Sequence, residues 1–328
     1  MNIQNLKKIG AKRIRLLIIA ASVVAAAAVL CIVFWPRPVW YVQADFEREW
    51  IRILRQVDPP FTRIKIYDGD IPQKGLGFCI TGDIRSWAGQ AGTEGNDAVP
   101  AAMAFYPRLS DTREYQGARV LALDPWMVFY RHAGLPLTRS RADGPGEGTL
   151  ILPGADEKAV WAWAAQSLQT QPGVFSAESG AWDAALRDLK NDSRFQPGAD
   201  AYRWAEALSL LMRAENAWLY APLSQVRELP SYRMGLLTAQ HFPVKSNWNV
   251  FGLQADILWA VPVGKTGQSK KQQAWAAWLG DALTQTAIAD ELRWIPAHPQ
   301  GAPYNPISRD AQLAWISGSF VWNKHPEL

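Results

Sequence analysis

The stretch ILWAVPVGKTGQSKKQQAWAAWLG, residues 257–280, is the most informative part of this chain for its fold. It places an apolar run typical of a buried strand before Gly264-Lys265-Thr266, and an Ala- and Trp-rich run typical of a helix after it. A phosphate-binding loop has this order, but it needs a glycine five residues before the Gly-Lys pair. Trp259 stands at that position, so we exclude a nucleotide-binding loop and expect no cofactor.

Composition indicates a globular chain large enough for two lobes. It has 328 residues, of which 48% are hydrophobic and 20% are charged. The net charge is +4, and five basic residues lie in the first fifteen positions, so the remainder is close to neutral. A nucleic-acid partner is therefore not indicated, because it would need a basic stripe on a folded face.

The N-terminus predicts a membrane anchor. Residues 16–34 form a run of 19 residues without a charge, about the length that a helix needs to cross the hydrocarbon core. We expect 1–15 to be a cytoplasmic basic segment, 16–35 to be the transmembrane anchor, and the rest to lie outside the cytoplasmic membrane. A long cleaved signal peptide is the alternative interpretation.

Metal and disulfide chemistry are not indicated by the sequence. The two cysteines, Cys31 and Cys79, are separated by the anchor boundary, and the four histidines show no metal-ligand spacing. We therefore expect no structural metal and a fold held by burial alone.

The pattern along the chain predicts α/β architecture with largely parallel sheets, because strand-like and helix-like segments alternate. Asp124-Pro125 is expected to break a strand-like region in its middle. A helix at the end of the opening stretch should carry Trp275, Trp278, Leu279, Ala282 and Leu283 on its apolar face. The other expected elements are a helix after Asp45, a strand at RIKIYDGD, strands at TLILPG and DILWAVPV, and helices at about 156–169, 181–190 and 200–213.

Three motifs carry a family resemblance. VPVGK, followed by QQAWAAWLGDALTQTAIADEL and WIPAH, resembles the C-terminal signature of extracellular solute-binding proteins of ABC transporters. VLALDPWMVFYRHAGL resembles the first crossover of that family, and AENAWLYAP (214–222) resembles the turn that faces the ligand in its maltose-binding-like group. The chain therefore resembles the type II periplasmic binding proteins of the maltose and sugar-binding group.

The resemblance implies a two-lobed fold with three hinge crossovers. One lobe would comprise 36–123 and 260–300, and the other 124–259 and 301–328. It further implies a membrane-anchored, extracytoplasmic binding protein without enzymatic activity. Its partners would be a small ligand, with a sugar as the first guess, and ABC permease subunits in the same membrane.

Three alternatives remain open at this stage. A degenerate binding protein could serve sensing or envelope assembly, and a structural envelope protein could have its cleft filled by side chains. A cell-envelope glycan hydrolase would need two carboxylates across a cleft, but no spacing selects such a pair. No Gly-x-Ser-x-Gly elbow is present either, so no catalytic residue is predicted.

Aromatic and acidic side chains supply the candidate ligand site, since aromatic faces stack on sugars and carboxylates accept from hydroxyl groups. Trp218 and Tyr220 lie in the turn that resembles the ligand-facing one. Most other tryptophans are expected in the core, as for Trp50, Trp161, Trp275 and Trp278 on helical stripes. The remaining candidates are Trp248, Trp87, Asp83, Trp126 and Asp124.

Overall fold

The computed structural model describes residues 39–59, 63–70, 72, 77–82, 118–131, 149–167, 187, 190–191, 198, 201–214, 216–240, 254–263, 270–298 and 300–317. The expected anchor and the site candidates Asp83, Trp87 and Trp248 lie outside these residues, as does most of the expected helix 181–190. None of the described helices is long and apolar enough to cross a membrane.

The described residues form one nine-stranded sheet with helices, which confirms the α/β class. The strands are β1 Val39–Gln43, β2 Ile64–Tyr67, β3 Gly77–Thr81, β4 Arg119–Arg131, β5 Thr149–Ile151, β6 Ala217–Pro222, β7 Leu237–Gln240, β8 Gln254–Val263 and β9 Ile295–Pro296. Their order across the sheet is β2-β1-β3-β8-β4-β6-β5, and β7 and β9 also pair with β4.

The expectation of a largely parallel sheet is wrong, because the sheet is mixed. Parallel pairing is found for β1 with β2, β1 with β3, and β5 with β6. The long strands β4 and β8 pair antiparallel with each other and with most of their neighbours. These two strands run through the middle of the sheet. They join its two halves, of which one contains β1, β2 and β3 and the other contains β5, β6 and β7. The alternation of strands and helices in the sequence does not reveal this role.

The expected break at Asp124-Pro125 is also wrong, because β4 continues through both residues. On one side, β4 pairs with β8 as far as Trp126. On the other side, β9 pairs with residues 122–123 and β6 begins to pair at Trp126. Pro125 lies between these two partners, where its missing N–H costs no ladder hydrogen bond.

Eight described helices surround the sheet. They are α1 Glu47–Gln56, α2 Glu157–Ser167, α3 Trp204–Arg213, α4 Leu223–Val226, α5 Ser231–Met234, α6 Lys270–Gly280, α7 Ala282–Leu292 and α8 Pro306–Ser317. The single helix expected after residue 270 is therefore two helices. Asp281 separates them, since its side chain accepts from the backbone N–H groups of Leu283 and Thr284 and caps α7.

The break between α6 and α7 means that the expected apolar face does not continue from one helix to the next. Trp275 and Leu279 on α6 are each 2% exposed, as predicted, whereas Leu283 on α7 is 71% exposed. The new cap at Asp281 restarts the helix with a different facing direction, so the stripe does not continue. Trp50 on α1 is buried, as predicted, and packs with Trp40 and Trp275 in the same cluster.

Three apolar clusters fill the two faces of the sheet. The first is continuous along one face and includes residues from both halves, such as Val261 and Phe129. The second lies on the other face at the β1 end, beneath α1, α6 and α7. The third shares that face with the second but lies at the β5 end, beneath α2. The boundary between the second and third clusters is the position where the two halves of the sheet meet.

Candidate site at the junction of the two sheet halves

Two aspartates lie side by side at this junction. Asp124 on β4 is the register partner of Asp256 on β8. Directly opposed residues on one sheet face have Cβ atoms roughly 4.5–5.5 Å apart. Along β4 the side chain of Leu121 belongs to the second cluster and that of Trp126 to the third, so Asp124 falls between them. The sheet thus places a carboxylate pair at the boundary of the two clusters.

Asp124 is buried and held by one residue. The backbone N–H of Ser224 donates to Oδ1 of Asp124 at 2.9 Å, and the Ser224 hydroxyl donates to Oδ2 at 2.6 Å. Ser224 lies in α4, which follows β6 without an intervening loop, so β6 carries the donor to the neighbouring strand. Burial, the largest cause, and the nearby Asp256 together raise the pKa of the Asp124 carboxyl to about 7, against the lowering effects of Ser224 and Lys158.

Asp256 forms an ion pair with Lys158, which lies on a helix that packs on this face of the sheet. Nζ of Lys158 on α2 lies 2.6 Å from Oδ2 of Asp256, and the two side chains are 53% and 24% exposed. The junction is therefore open to solvent at this pair, although Asp124 beside it is only 3% exposed. Asp156 fixes the start of α2, since its carboxylate accepts from the backbone N–H of Ala159 at 3.0 Å.

Aromatic rings adjoin the polar pair. The ring centroids of Trp126 and Tyr220 are 5.5 Å apart, and those of Trp126 and Trp204 are 6.1 Å apart. Nε1 of Trp204 donates to the Asp156 carboxylate at 2.8 Å. The ring of Trp126 is 1% exposed, and its Nε1 has no hydrogen-bond partner within the described part of the chain. Rings, two carboxylates and an ammonium group together can bind a small polar molecule.

The hydrolase alternative receives no support from this pair. Both carboxylate oxygens of Asp124 accept hydrogen bonds from Ser224, and the side chain is buried. A glycosidase needs both of its carboxyl groups in contact with the scissile bond. Among the described residues, no group of three or more His, Cys, Asp and Glu side chains is placed to hold a metal ion.

Comparison with known proteins identifies the architecture. A scan against protein-family models finds no match, and a search of the curated proteins finds none. Among solved structures, apo RafE from Streptococcus pneumoniae superposes with a TM-score of 0.56 at 12% identity, covering 87% of this chain and 88% of RafE. A probable secreted solute-binding lipoprotein from Streptomyces coelicolor gives 0.55 at 14% identity, with 87% and 88% covered. This chain has the fold of the extracellular solute-binding proteins.

A third structure with the solute-binding-protein fold is the bacterial solute receptor AcbH. It superposes with a TM-score of 0.55 at 13% identity, and 87% of each chain is covered. That receptor is described as having an exclusive substrate preference for β-D-galactopyranose, and RafE has also been solved in complex with raffinose. These neighbours are described as solute-binding proteins and receptors.

Within the solute-binding-protein fold, the described site candidates lie at or near the junction. Asp124 and Trp126 are consecutive on one face of β4, and Tyr220 and Trp218 follow on the neighbouring strand β6. Tyr220 is fully buried and Trp218 is 5% exposed, both in the third cluster. Their role in ligand binding stays a prediction.

Sequence reasoning missed Asp256, Lys158 and Ser224. Asp256 is an acidic residue directly before the apolar run of β8, which is a detectable signal for a polar position at a strand junction. Lys158 and Ser224 carry no such signal, because an early-helix lysine and a serine after Pro222 are ordinary. Only the register of β4 with β8 and the placement of α2 bring these residues together.

Proposed function

We propose that this chain is an extracytoplasmic solute-binding protein that closes on a small polar ligand at the junction of its two sheet halves, with a sugar as the first candidate. Residues 16–35 anchor it in the cytoplasmic membrane with the N-terminus inside. It presents the ligand to ABC permease subunits in the same membrane. The single observation that carries the proposal is the group of Asp124, Asp256 and Lys158 at this junction, within a fold shared with solute-binding proteins.

The two halves of the sheet act as the two lobes in this proposal. The expected division into 36–123 with 260–300 and 124–259 with 301–328 places a boundary next to Asp124 on β4. Asp256, the register partner of Asp124, lies at the corresponding position on β8. The first apolar cluster is continuous under both halves, so we propose that closure bends the molecule about that face and brings the opposite face together.

Sugar as the ligand class is supported by the chemistry of the junction. Carboxylates accept hydrogen bonds from hydroxyl groups, an ammonium group donates to them, and indole faces cover the apolar side of a sugar ring. Asp256 and Lys158 are exposed enough to exchange their mutual ion pair for ligand contacts. Trp126, Trp218 and Tyr220 are buried, so their contact with a ligand requires α2 to move outward.

The test is a thermal-shift screen of the full-length protein in detergent against galactose, raffinose and other mono- and oligosaccharides. A ligand that binds only the folded state raises the melting temperature by mass action. We expect at least one sugar to raise it in the wild type and in Asp70→Ala, an exposed control, but not in Asp256→Ala. A screen without any sugar-dependent rise, or an equal rise in Asp256→Ala, contradicts the proposed function.

A further inference from the structure

Charged residues are sorted between the two ends of the β1-α1-β2 unit. Because β1 and β2 are parallel, α1 runs back between them, and its last turn lies at the end where both strands begin. The backbone N–H of Trp40 donates to the carbonyl of Arg63 at 2.9 Å, which fixes these strand starts side by side. Arg55, Arg63 and Lys65 therefore share one end of the unit with a single exposed acidic residue, Asp58, so the described charged residues at this end are mainly basic.

The other end of the same unit is acidic. The chain leaves β1 and enters α1 through Asp45 and Glu47, and it leaves β2 through Asp68 and Asp70. All four side chains belong to exposed residues, and they outnumber Arg48, the exposed basic residue in the first turn of α1. A molecule with this separation has a preferred orientation in front of a charged surface. An anionic surface attracts the end where β1 begins and repels the opposite end.

Two apolar side chains of β2 are also exposed. Ile64 and Ile66 on β2 are 37% and 39% exposed. None of the ion pairs within the described ranges involves Arg55, Arg63 or Lys65. Successive side chains of a strand point to opposite faces, so β2 and the residue before it present Arg63 and Lys65 on one face and Ile64 and Ile66 on the other. Because β2 is the edge strand of the sheet, both faces border the same edge, where basic and aliphatic side chains can bind the headgroup region of an anionic bilayer.

Chain length places this end close to the expected anchor. The apolar run of the expected anchor ends at Phe34 and β1 begins at Val39. Five peptide steps span at most roughly 17 Å when fully extended. The end of the sheet where β1 begins is therefore kept near the membrane by the chain itself, at a high effective concentration.

We propose that the basic edge, formed by Arg55, Arg63, Ile64, Lys65 and Ile66, docks on anionic lipid headgroups of the membrane that holds the anchor. This inference rests on the proposed anchoring and not on the ligand. It gives the molecule a fixed orientation. Since β4 is parallel to β1 through β3 and β8, Asp124 lies farther from the membrane than Arg119. Their partners on β8, Asp256 and Ala260, are four residues apart because of a bulge in β4, so the separation is roughly 14 Å along the strand.

The test uses the full-length protein in nanodiscs of phosphatidylcholine alone and of an equal mixture with phosphatidylglycerol. Amide hydrogen exchange is measured for peptides covering residues 63–67, with residues 237–240 on β7 as an internal reference. We expect exchange at 63–67 to slow several-fold in the anionic discs only. High salt should remove the difference, because the screening length falls to about 3 Å at 1 M.

A matched pair of charge reversals completes the experiment. Arg63→Glu with Lys65→Glu should abolish the lipid-dependent protection, whereas Arg213→Glu with Arg233→Glu, also exposed, should keep it. Equal exchange in both lipids, or protection that survives in Arg63→Glu with Lys65→Glu, overturns the docking surface while the anchor stands. A full-length chain that alkaline carbonate extracts from membranes overturns the anchor and the docking surface together. Neither result bears on sugar binding, which the thermal-shift screen measures separately.

Discussion

Asp124 on β4 and Asp256 on β8 are register partners on the sheet face where two apolar clusters meet. The first is buried and bonded through both oxygens to Ser224, and the second is paired with Lys158 at the surface. The two carboxylates thus have different environments although they are neighbours. This difference sets the behaviour of the junction with pH and determines which of the two can reach a ligand.

Asp124→Asn should remove a pH dependence of stability. The pKa of Asp124 is raised from 3.8 to about 7, with burial as the largest cause, so the folded state binds the proton more tightly than the unfolded state. Stability associated with this group is complete below about pH 4 and is lost as pH rises to about 7, by a few kcal/mol at most. Urea unfolding between these pH values should show this decline in the wild type and in Asp70→Asn. An equally steep decline in Asp124→Asn would falsify the assignment.

Lys158→Met should shift the same titration upward. The charge of Lys158 lowers the pKa of Asp124, so its removal leaves the raising effects of burial and Asp256 opposed by Ser224 alone. We therefore expect the decline in the free energy of unfolding to continue to a higher pH in Lys158→Met than in the wild type. At low pH the loss of stability should stay below about 1 kcal/mol, because the ion pair with Asp256 is partly exposed. Arg213→Met is the control, and a titration identical in both variants would refute the coupling.

Trp126→Phe tests the buried indole N–H. Nε1 of Trp126 and Nε1 of Trp50 are both buried without a hydrogen-bond partner among the described residues, but only Trp126 adjoins the junction. Either change to Phe should cost about 1–2 kcal/mol, since lost packing is offset by removal of an unsatisfied donor. Calorimetric titration with the sugar identified by the screen should show weaker binding for Trp126→Phe only. Equal affinities in the two variants would exclude a role of this N–H.

Gly301→Ala should destabilise the segment that connects β9 to α8. A Cβ at this position would lie 2.9 Å from Cβ of Pro296 and 3.0 Å from Cβ of Gln285. Gln285 is itself fixed, because it donates to the carbonyl of Leu279 and accepts from the N–H of His298. We expect a loss of about 1–3 kcal/mol in urea unfolding. Gly280→Ala, with no atom within 4 Å of the added carbon, should be neutral, and equal losses in both would show that crowding is not the cause.

Local patterns predicted most of the described elements. The periodicity of Trp50 and Ile53 identified α1, and the apolar runs identified β4 and β8. Patterns failed where partners far along the chain decide the outcome. The continuity of β4 through Pro125 depends on where β9 ends and β6 begins. The pairing of Asp124 with Asp256 depends on a register between segments more than a hundred residues apart. Gly280 is typical of a helix end and Asp281 of a helix start, and the two residues separate α6 from α7. The expectation of a single helix did not take these two signals into account.

The most direct measurement is amide hydrogen exchange of the full-length protein with and without the sugar that raises its melting temperature most. We predict that exchange slows in peptides covering 124–126, 156–160 and 254–257, which meet at the junction, and that Asp256→Ala removes this protection. Exchange that slows only in other described segments, with these three unchanged, would contradict the assignment of the ligand site to the junction of the two sheet halves.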